Sequence, residues 1–336
     1  LALLQTASNP YVTVVGPIKS AAKRISIMGI CNKLGGIVAP FILGALILVN
    51  ADQLKAELLT VDGDARSALL DARARLVVVP YAVLGAALLL AAVLIRLSPL
   101  PPLQEEEEST NARSSSVFKH PQLLLGVAAL FVYVWAEVLA GDSIPVYAER
   151  LGTPLDVAKT LTSVTLMAML VGYVVGIALI PRFLSQRWAL ALSAAVACVT
   201  VAGVCIADIT ATARFPLLDL GSFEVRWTEL PVTVLLVALL GLGNALMWPA
   251  IWPLAVDGIG SALKTGSALL IMAILGGALA LPAWTAMSAG AMADASLSVE
   301  AKAAATQQAY WLLLPFYLFI GWYALQGSRL RASSDR

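Results

Sequence analysis

Eight long apolar runs constrain this chain more than any motif in it. A bilayer core of about 30 Å takes about 20 helical residues to cross. Inside it every backbone N–H and C=O must be satisfied within the protein, which leaves helices as the economical solution. The runs are Ile25–Val49, Leu76–Leu97, Pro121–Tyr147, Val157–Ile180, Trp188–Ala207, Leu230–Val256, Ala262–Met287 and Ala309–Leu325. Leu1–Val15 precedes them and is also apolar, but its 15 residues fall short of a crossing. The chain begins with Leu inside that stub, so upstream sequence is expected to be missing. At 60% hydrophobic and 13% charged, the composition departs from the about 45–50% and about 25% of soluble domains. The expected fold class is an all-α polytopic membrane protein in contact with the lipid bilayer.

Several function classes recede on composition. A net charge of +1 gives no reason to expect a nucleic-acid partner. Cys31, Cys198 and Cys205 lie in apolar segments without metal-ligand spacing and are read as small buried hydrophobes. No metal site and no cofactor are expected. The single histidine, His120, stands before Pro121 at a helix entrance, as a boundary residue or alternatively a pH sensor. With that histidine in a loop, no nucleophile–base pair lies at membrane depth, so an enzyme is not expected.

Residues 98–120 break the pattern, with Pro99, Pro101, Pro102, the acidic run Glu105–Glu108 and the serines at 114–116. Such a stretch buries too little apolar surface to order itself and is read as a linker. It separates 1–97, holding a stub and two spans, from the six spans of 121–336. With the linker placed in the cytoplasm, twelve Lys and Arg fall on its side and nine on the other. The long outer loops, Asn50–Arg75 and Asp208–Glu229, count weakly in that balance. Linker and C-terminus are therefore expected to be cytoplasmic.

Polar groups within the spans mark the candidate site. An acidic side chain in hydrocarbon costs about 2.5–3.5 kcal/mol on insertion scales, so it is tolerated mainly where it faces a polar pathway. Glu137 lies deep in its span and is assigned to that pathway. Asp142 is five residues on, about 140° around the helix, and nearer the outer end. It is either a coupling or gating group or a carboxylate reaching an aqueous vestibule. Gln5 and Asn9 share one face of the stub, with Asn9-Pro10 expected to break its helical ladder. Asn32 and Lys33 occupy the next span; Lys33 is long enough to snorkel to the surface and Asn32 is not. Asn244, Trp248 and Trp252 form a stripe at spacing four. An amide beside an indole suits a sugar, binding hydroxyls with one and the C–H face of the ring with the other. An interhelical hydrogen bond next to an interfacial aromatic fits the same pattern. Gly35–Gly36, Gly172 with Gly176, Gly241 with Gly243, and Gly276–Gly277 permit close helix contact.

Longer strings carry a resemblance. Asn9-Pro-Tyr-Val-Thr-Val-Val-Gly-Pro17, Phe131-Val-Tyr-Val-Trp-Ala-Glu137, Trp248-Pro-Ala-Ile-Trp-Pro253 and Lys264-Thr-Gly-Ser-Ala-Leu-Leu-Ile-Met272 resemble the fucose/glucose/galactose sugar-symporter branch of the major facilitator superfamily. Leu4-Gln5-Thr6-Ala7 and Ala136-Glu137-Val138 bring it closer to the glucose/galactose members. The resemblance implies a major facilitator fold of twelve helices in two halves, with this chain supplying helices four to twelve. That is an incomplete N-terminal half plus a complete six-helix C-terminal half. It implies a hexose carried across a cell membrane, the bacterial inner membrane, by alternating access with a coupling ion, proton or sodium. The substrate-binding residues would be Gln5, Asn9, Asn32, Glu137, Asn244 and Trp248, with Asp142 and Trp252 in coupling or gating. Fucose-type symporters carry an acidic coupling residue where this chain has Gln5, which cannot titrate. On the truncated frame, the chain alone is expected to bind hexose weakly and accumulate none. A transporter of another small polar solute, or a sugar sensor that does not translocate, are the alternatives.

Overall fold

A computed structural model describes residues 8–13, 15–47, 57–98, 117–219 and 224–330. The principal helices are α1 (Ala21–Ile47), α2 (Gly63–Arg75), α3 (Val78–Leu97), α4 (Pro121–Arg150), α5 (Leu161–Leu179) and α6 (Gln186–Ile206). A hairpin of β1 (Thr212–Asp219) and β2 (Glu224–Pro231) follows. After it come α7 (Val232–Asn244), α8 (Met247–Val256), α9 (Leu263–Met272), α10 (Gly276–Ala293), α11 (Val299–Gln308) and α12 (Leu313–Leu325). Six described segments are long and apolar enough to cross a membrane.

Helix α4 is the hub, packed by α7, α8, α10 and α12. It opens on Pro121, where a missing N–H costs nothing. It closes on Gly152 at φ +86°, with Thr153 N–H bonded to the Ala148 carbonyl in a Schellman turn. Pro145 inside it cannot donate to the Gly141 carbonyl one turn back. Thr162 Oγ1 of α5 takes over that acceptor at 2.8 Å, so no carbonyl is orphaned in the apolar interior. Around α4, α6 packs on α7 and α12, and α5 lies between α7 and α1. The last carbonyls of α6 receive Gln307 Nε2, at Val204 and Ala207, and Gln308 Nε2, at Cys205.

The glycines mostly act as anticipated. A Cβ on Gly241 would strike the Thr165 carbonyl oxygen, and one on Gly276 the Phe131 carbonyl oxygen. Close backbone approach thus fixes α7 on α5 and α10 on α4. Gly35 departs from this, with no atom within 4 Å of the added carbon.

Several expectations need correction. The fold class is as expected, but the loop between α6 and α7 is not irregular: it holds the β1–β2 hairpin, registered from Thr212↔Pro231 to Asp219↔Glu224. Alternating apolar and polar residues such as Phe215, Leu217, Val225 and Trp227 carried that signal. The loop between α1 and α3 holds the exposed α2. Three spans are interrupted: at Ala245 and Leu246 between α7 and α8, at the 3₁₀ turn Ala273–Leu275 before α10, and at Ala309–Leu312 before α12. Cys31 is exposed, not buried, because it lies on a face of α1 that no described helix covers. The backbone stays helical over 8–13, through Asn9 and Pro10. Proline forfeits only its own N–H, and Thr13 Oγ1 closes the next turn on the Asn9 carbonyl at 2.8 Å. Most of the linker, 99–116, lies outside the described residues.

Candidate functional site

Glu137 sits mid-way along α4. Lys33 does not snorkel. It pairs with Glu137 through Nζ and Oε1, the two side chains being 14% and 19% exposed. Charge attraction outweighs the reach to the surface here because Glu137 offers the ammonium a partner within the protein. Tyr173 of α5 lies one turn away from that lysine, against Gly29 of α1, where an added Cβ would come 2.9 Å from its ring.

Tyr133 stands four residues before Glu137, on the same face of α4. Its hydroxyl lies close enough to the Glu137 carboxylate to feel its charge, and its ring lies 6.4 Å from that of Trp248. Trp248 in turn stacks on Trp252 at 5.9 Å and 27°. Asn244 is fully buried and its Oδ1 accepts from Tyr317 OH of α12 at 2.9 Å. The interhelical bond considered for Asn244 is thus present. Its Nδ2 makes no hydrogen bond among the described residues, and neither does Trp252 Nε1. Asn244 and Trp248 flank the break between α7 and α8, the kind of interruption tolerated at depth where it lines a cavity or is buried in protein.

The structure therefore brings Glu137, Trp248 and Trp252 together through Tyr133, with Asn244 and Tyr317 alongside. Asp142 is exposed. Asn32 is exposed beside Lys33. Asn9 is buried with both amide atoms unpaired among the described residues, and no recorded contact joins it to the Glu137 group. Gln5 lies outside the described residues. Sequence reasoning missed Tyr133, Tyr173 and Tyr317, and assigned Lys33 no partner. The four-residue spacing of Tyr133 from Glu137 was a usable signal; Tyr173 and Tyr317 become visible only when helices pack.

A second polar cluster closes the C-terminal end of α4. Arg150 Nη1 donates to Thr306 Oγ1 at 2.9 Å and Ser288 Oγ at 3.2 Å, and its guanidinium lies over Trp284. Tyr310 shares a 2.7 Å hydrogen bond with Ser143 and packs on Trp284. The cluster ties α10, α11 and the turn before α12 to α4. Among the described residues no group of His, Cys, Asp and Glu is placed to hold a metal.

Spanning helices around a paired charge, with aromatic rings and a half-satisfied amide beside it, define a polytopic membrane protein built around a polar centre. The Major Facilitator Superfamily model matches residues 1–282, and the chain belongs to that superfamily, one of transporters rather than enzymes. It is 29% identical to a glucose/galactose transporter of Brucella abortus biovar 1 (strain 9-941), over 97% of this chain and 68% of that protein. It is 27% identical to an L-fucose-proton symporter of Escherichia coli (strain K12), over 84% of this chain and 61% of the other. The crystal structure of the superfamily transporter FucP in the outward conformation matches with a TM-score of 0.66 at 24% identity, over 94% of this chain and 72% of that one. At that identity the match speaks for the fold alone.

Proposed function

We propose that the protein carries a hexose of the glucose/galactose type across the cell membrane by alternating access, in ion-coupled symport. The observation that carries this reading is Glu137 with Tyr133 and Trp248: an acceptor carboxylate beside aromatic faces, at membrane depth. A carboxylate accepts sugar hydroxyls through short, charge-assisted bonds, and an indole covers the apolar face of the ring. Asn244 adds a free Nδ2 donor. The names of the two relatives above support the same substrate class. In this reading Gln5, Asn9 and Asn32 line the path from the N-terminal side, 1–97, and Asp142 and Trp252 gate it. Residues 98–120 form a cytoplasmic linker, 121–336 a six-helix half with a cytoplasmic C-terminus, and the membrane is the bacterial inner one.

Uptake of labelled D-glucose and D-galactose by cells expressing the complete gene tests the reading. Accumulation is expected, with Glu137→Gln weakening uptake. Trp248→Ala should weaken it more than Trp252→Ala, because Trp248 stands between Tyr133 and Asn244. Binding without accumulation would indicate a sensor instead. Accumulation of neither sugar, with uptake of another polar solute, would move the substrate class.

A further inference from the structure

A carboxylate at membrane depth needs an opposite charge or a proton, since an uncompensated buried charge is strongly destabilising. In an ion-coupled carrier a solute cation can fill that role at a binding carboxylate. At Glu137 the role is already filled from within the chain. Lys33 reaches it from α1, before the linker, while Glu137 stands on α4, after it.

Among the described residues the carboxylate has no other cation. Tyr133 on α4, Tyr173 on α5, Tyr317 on α12 and Asp142 on α4 are close enough to feel its charge, and none of them is basic. Helices α7, α8 and α10, which also pack on α4, carry no ionisable side chain. Lys264 on α9 sits by the start of α4, where Gly266 abuts Leu123, about 20 Å along the helix from Glu137. Arg150, with Glu300 and Lys302 of α11, sits a similar distance away at the C-terminal end, again about 20 Å.

We propose that Lys33 is the resident cation of this site. It balances Glu137 in the sugar-free state in place of a solute ion, and gives way when sugar hydroxyls take the carboxylate. Glu137 is then not where a coupling ion loads, and the pair latches α1 to α4 between transport cycles. Lys33 is a positioning residue in this scheme. The displacement by sugar rests on the hexose reading above, whereas the charge balance does not.

Two measurements on the full chain separate those parts. The first is thermal unfolding in detergent, in sodium or choline chloride at equal ionic strength, from mildly acid to mildly alkaline pH. Any difference between the two salts in the wild type is expected to persist in Glu137→Gln, since the ion does not load there. Lys33→Met should unfold about 5 °C lower at alkaline pH, and recover on acidification or with sodium, as a solution cation replaces the lysine. The double variant Lys33→Met/Glu137→Gln should regain stability and lose both responses. A Lys33→Met protein indifferent to salt and pH would overturn the proposal, leaving the pair a structural tie. So would a wild-type sodium response that Glu137→Gln abolishes, which would place the ion at Glu137, or a double variant as unstable as the single one, which would assign the loss to packing. The second measurement is binding of labelled D-galactose and D-glucose. Sodium should raise affinity about tenfold more in Lys33→Met than in the wild type, the equivalent of about 1.4 kcal/mol. If the wild type binds neither sugar, the hexose reading fails while the unfolding experiment still decides the role of Lys33.

Discussion

Helices α3 and α4 make an instructive pair. Both are apolar enough to cross a bilayer, and α3 is the more apolar of the two. Yet α4 is half-buried and serves as the hub of the fold, whereas no residue of α3 is buried. The difference lies in what interrupts the apolar pattern. Between its leucines α4 carries Gly126, against which Ala255 packs, and Tyr133 and Glu137, which demand polar partners. Helix α3 is almost uniformly Val, Ala and Leu, with one glycine, Gly85, facing open space. Lipid chains solvate such a surface as well as another helix would, so apolarity alone does not drive association within a membrane. Small residues do not separate the two, since α3 carries Gly85 and five alanines; polar groups do, because α3 has only Tyr81 and Arg96 where α4 has Gln122, Tyr133, Glu137 and Ser143 along its length.

The comparison can be broken most forcefully at the glycines. Gly241→Leu drives a side chain into the Thr165 backbone, where nothing can yield cheaply. A loss of about 3 kcal/mol or more is expected, read as a large fall in unfolding temperature in detergent. Gly85→Leu, on the bare surface of α3, should stay within about 0.5 kcal/mol. Equal losses would mean that α3 is as tightly packed as the core.

Helix α1 stands between these extremes, and its entrance is fixed by polar contacts. Arg24 donates to the carbonyls of Val12, Thr13, Gly16 and Pro17 and to Ser20 Oγ, tying the loop after 8–13 to the first turns of α1. Arg24→Ala should cost about 2–3 kcal/mol and expose that loop to limited proteolysis, with little change in the packing of α4. Lys in its place should recover only part of the loss, lacking the forked geometry.

A smaller effect is expected at the junction of α7 and α12. Tyr317→Phe leaves the buried Asn244 amide without its recorded hydrogen bond, at about 1–3 kcal/mol. Tyr317→Phe combined with Asn244→Leu should be milder than the single change, because no unpaired amide then remains. A double variant that loses as much as the sum would show that packing, and not the hydrogen bond, holds the junction.

The smallest effect lies outside the membrane. Asp208, at the entrance to the hairpin, is held below the usual carboxylate range by the Thr210 backbone N–H and then by its hydroxyl. A depressed value contributes stability that is present above the unfolded carboxylate's pKa, about 3.9, and is lost as pH falls through the lower folded value. Amide exchange at Thr210 should therefore be protected at neutral pH and quicken, relative to the intrinsic rate, in strong acid. The unfolding temperature of Asp208→Ala at neutral pH should match the wild type.

The sequence determined by itself that this chain spans a membrane in helices, since runs of that length leave the backbone no cheaper way to satisfy its hydrogen bonds. It also singled out Glu137, because a carboxylate in hydrocarbon must have a purpose or a partner, and Trp248 and Trp252 by their spacing. The close contacts of Gly172, Gly176, Gly241 and Gly276 were legible for a similar reason: only a small residue lets two backbones meet. The hairpin was missed although period-two alternation was present, because long polar loops invite no search for strands. Tertiary structure alone decided that Lys33, 104 residues away, is Glu137's partner, that Tyr317 meets Asn244, and that α3 lies bare while α4 is covered. Each of those facts depends on which helix faces which. Periodicity fixes the faces of a single helix, but pairing between helices is a property of the whole packed set.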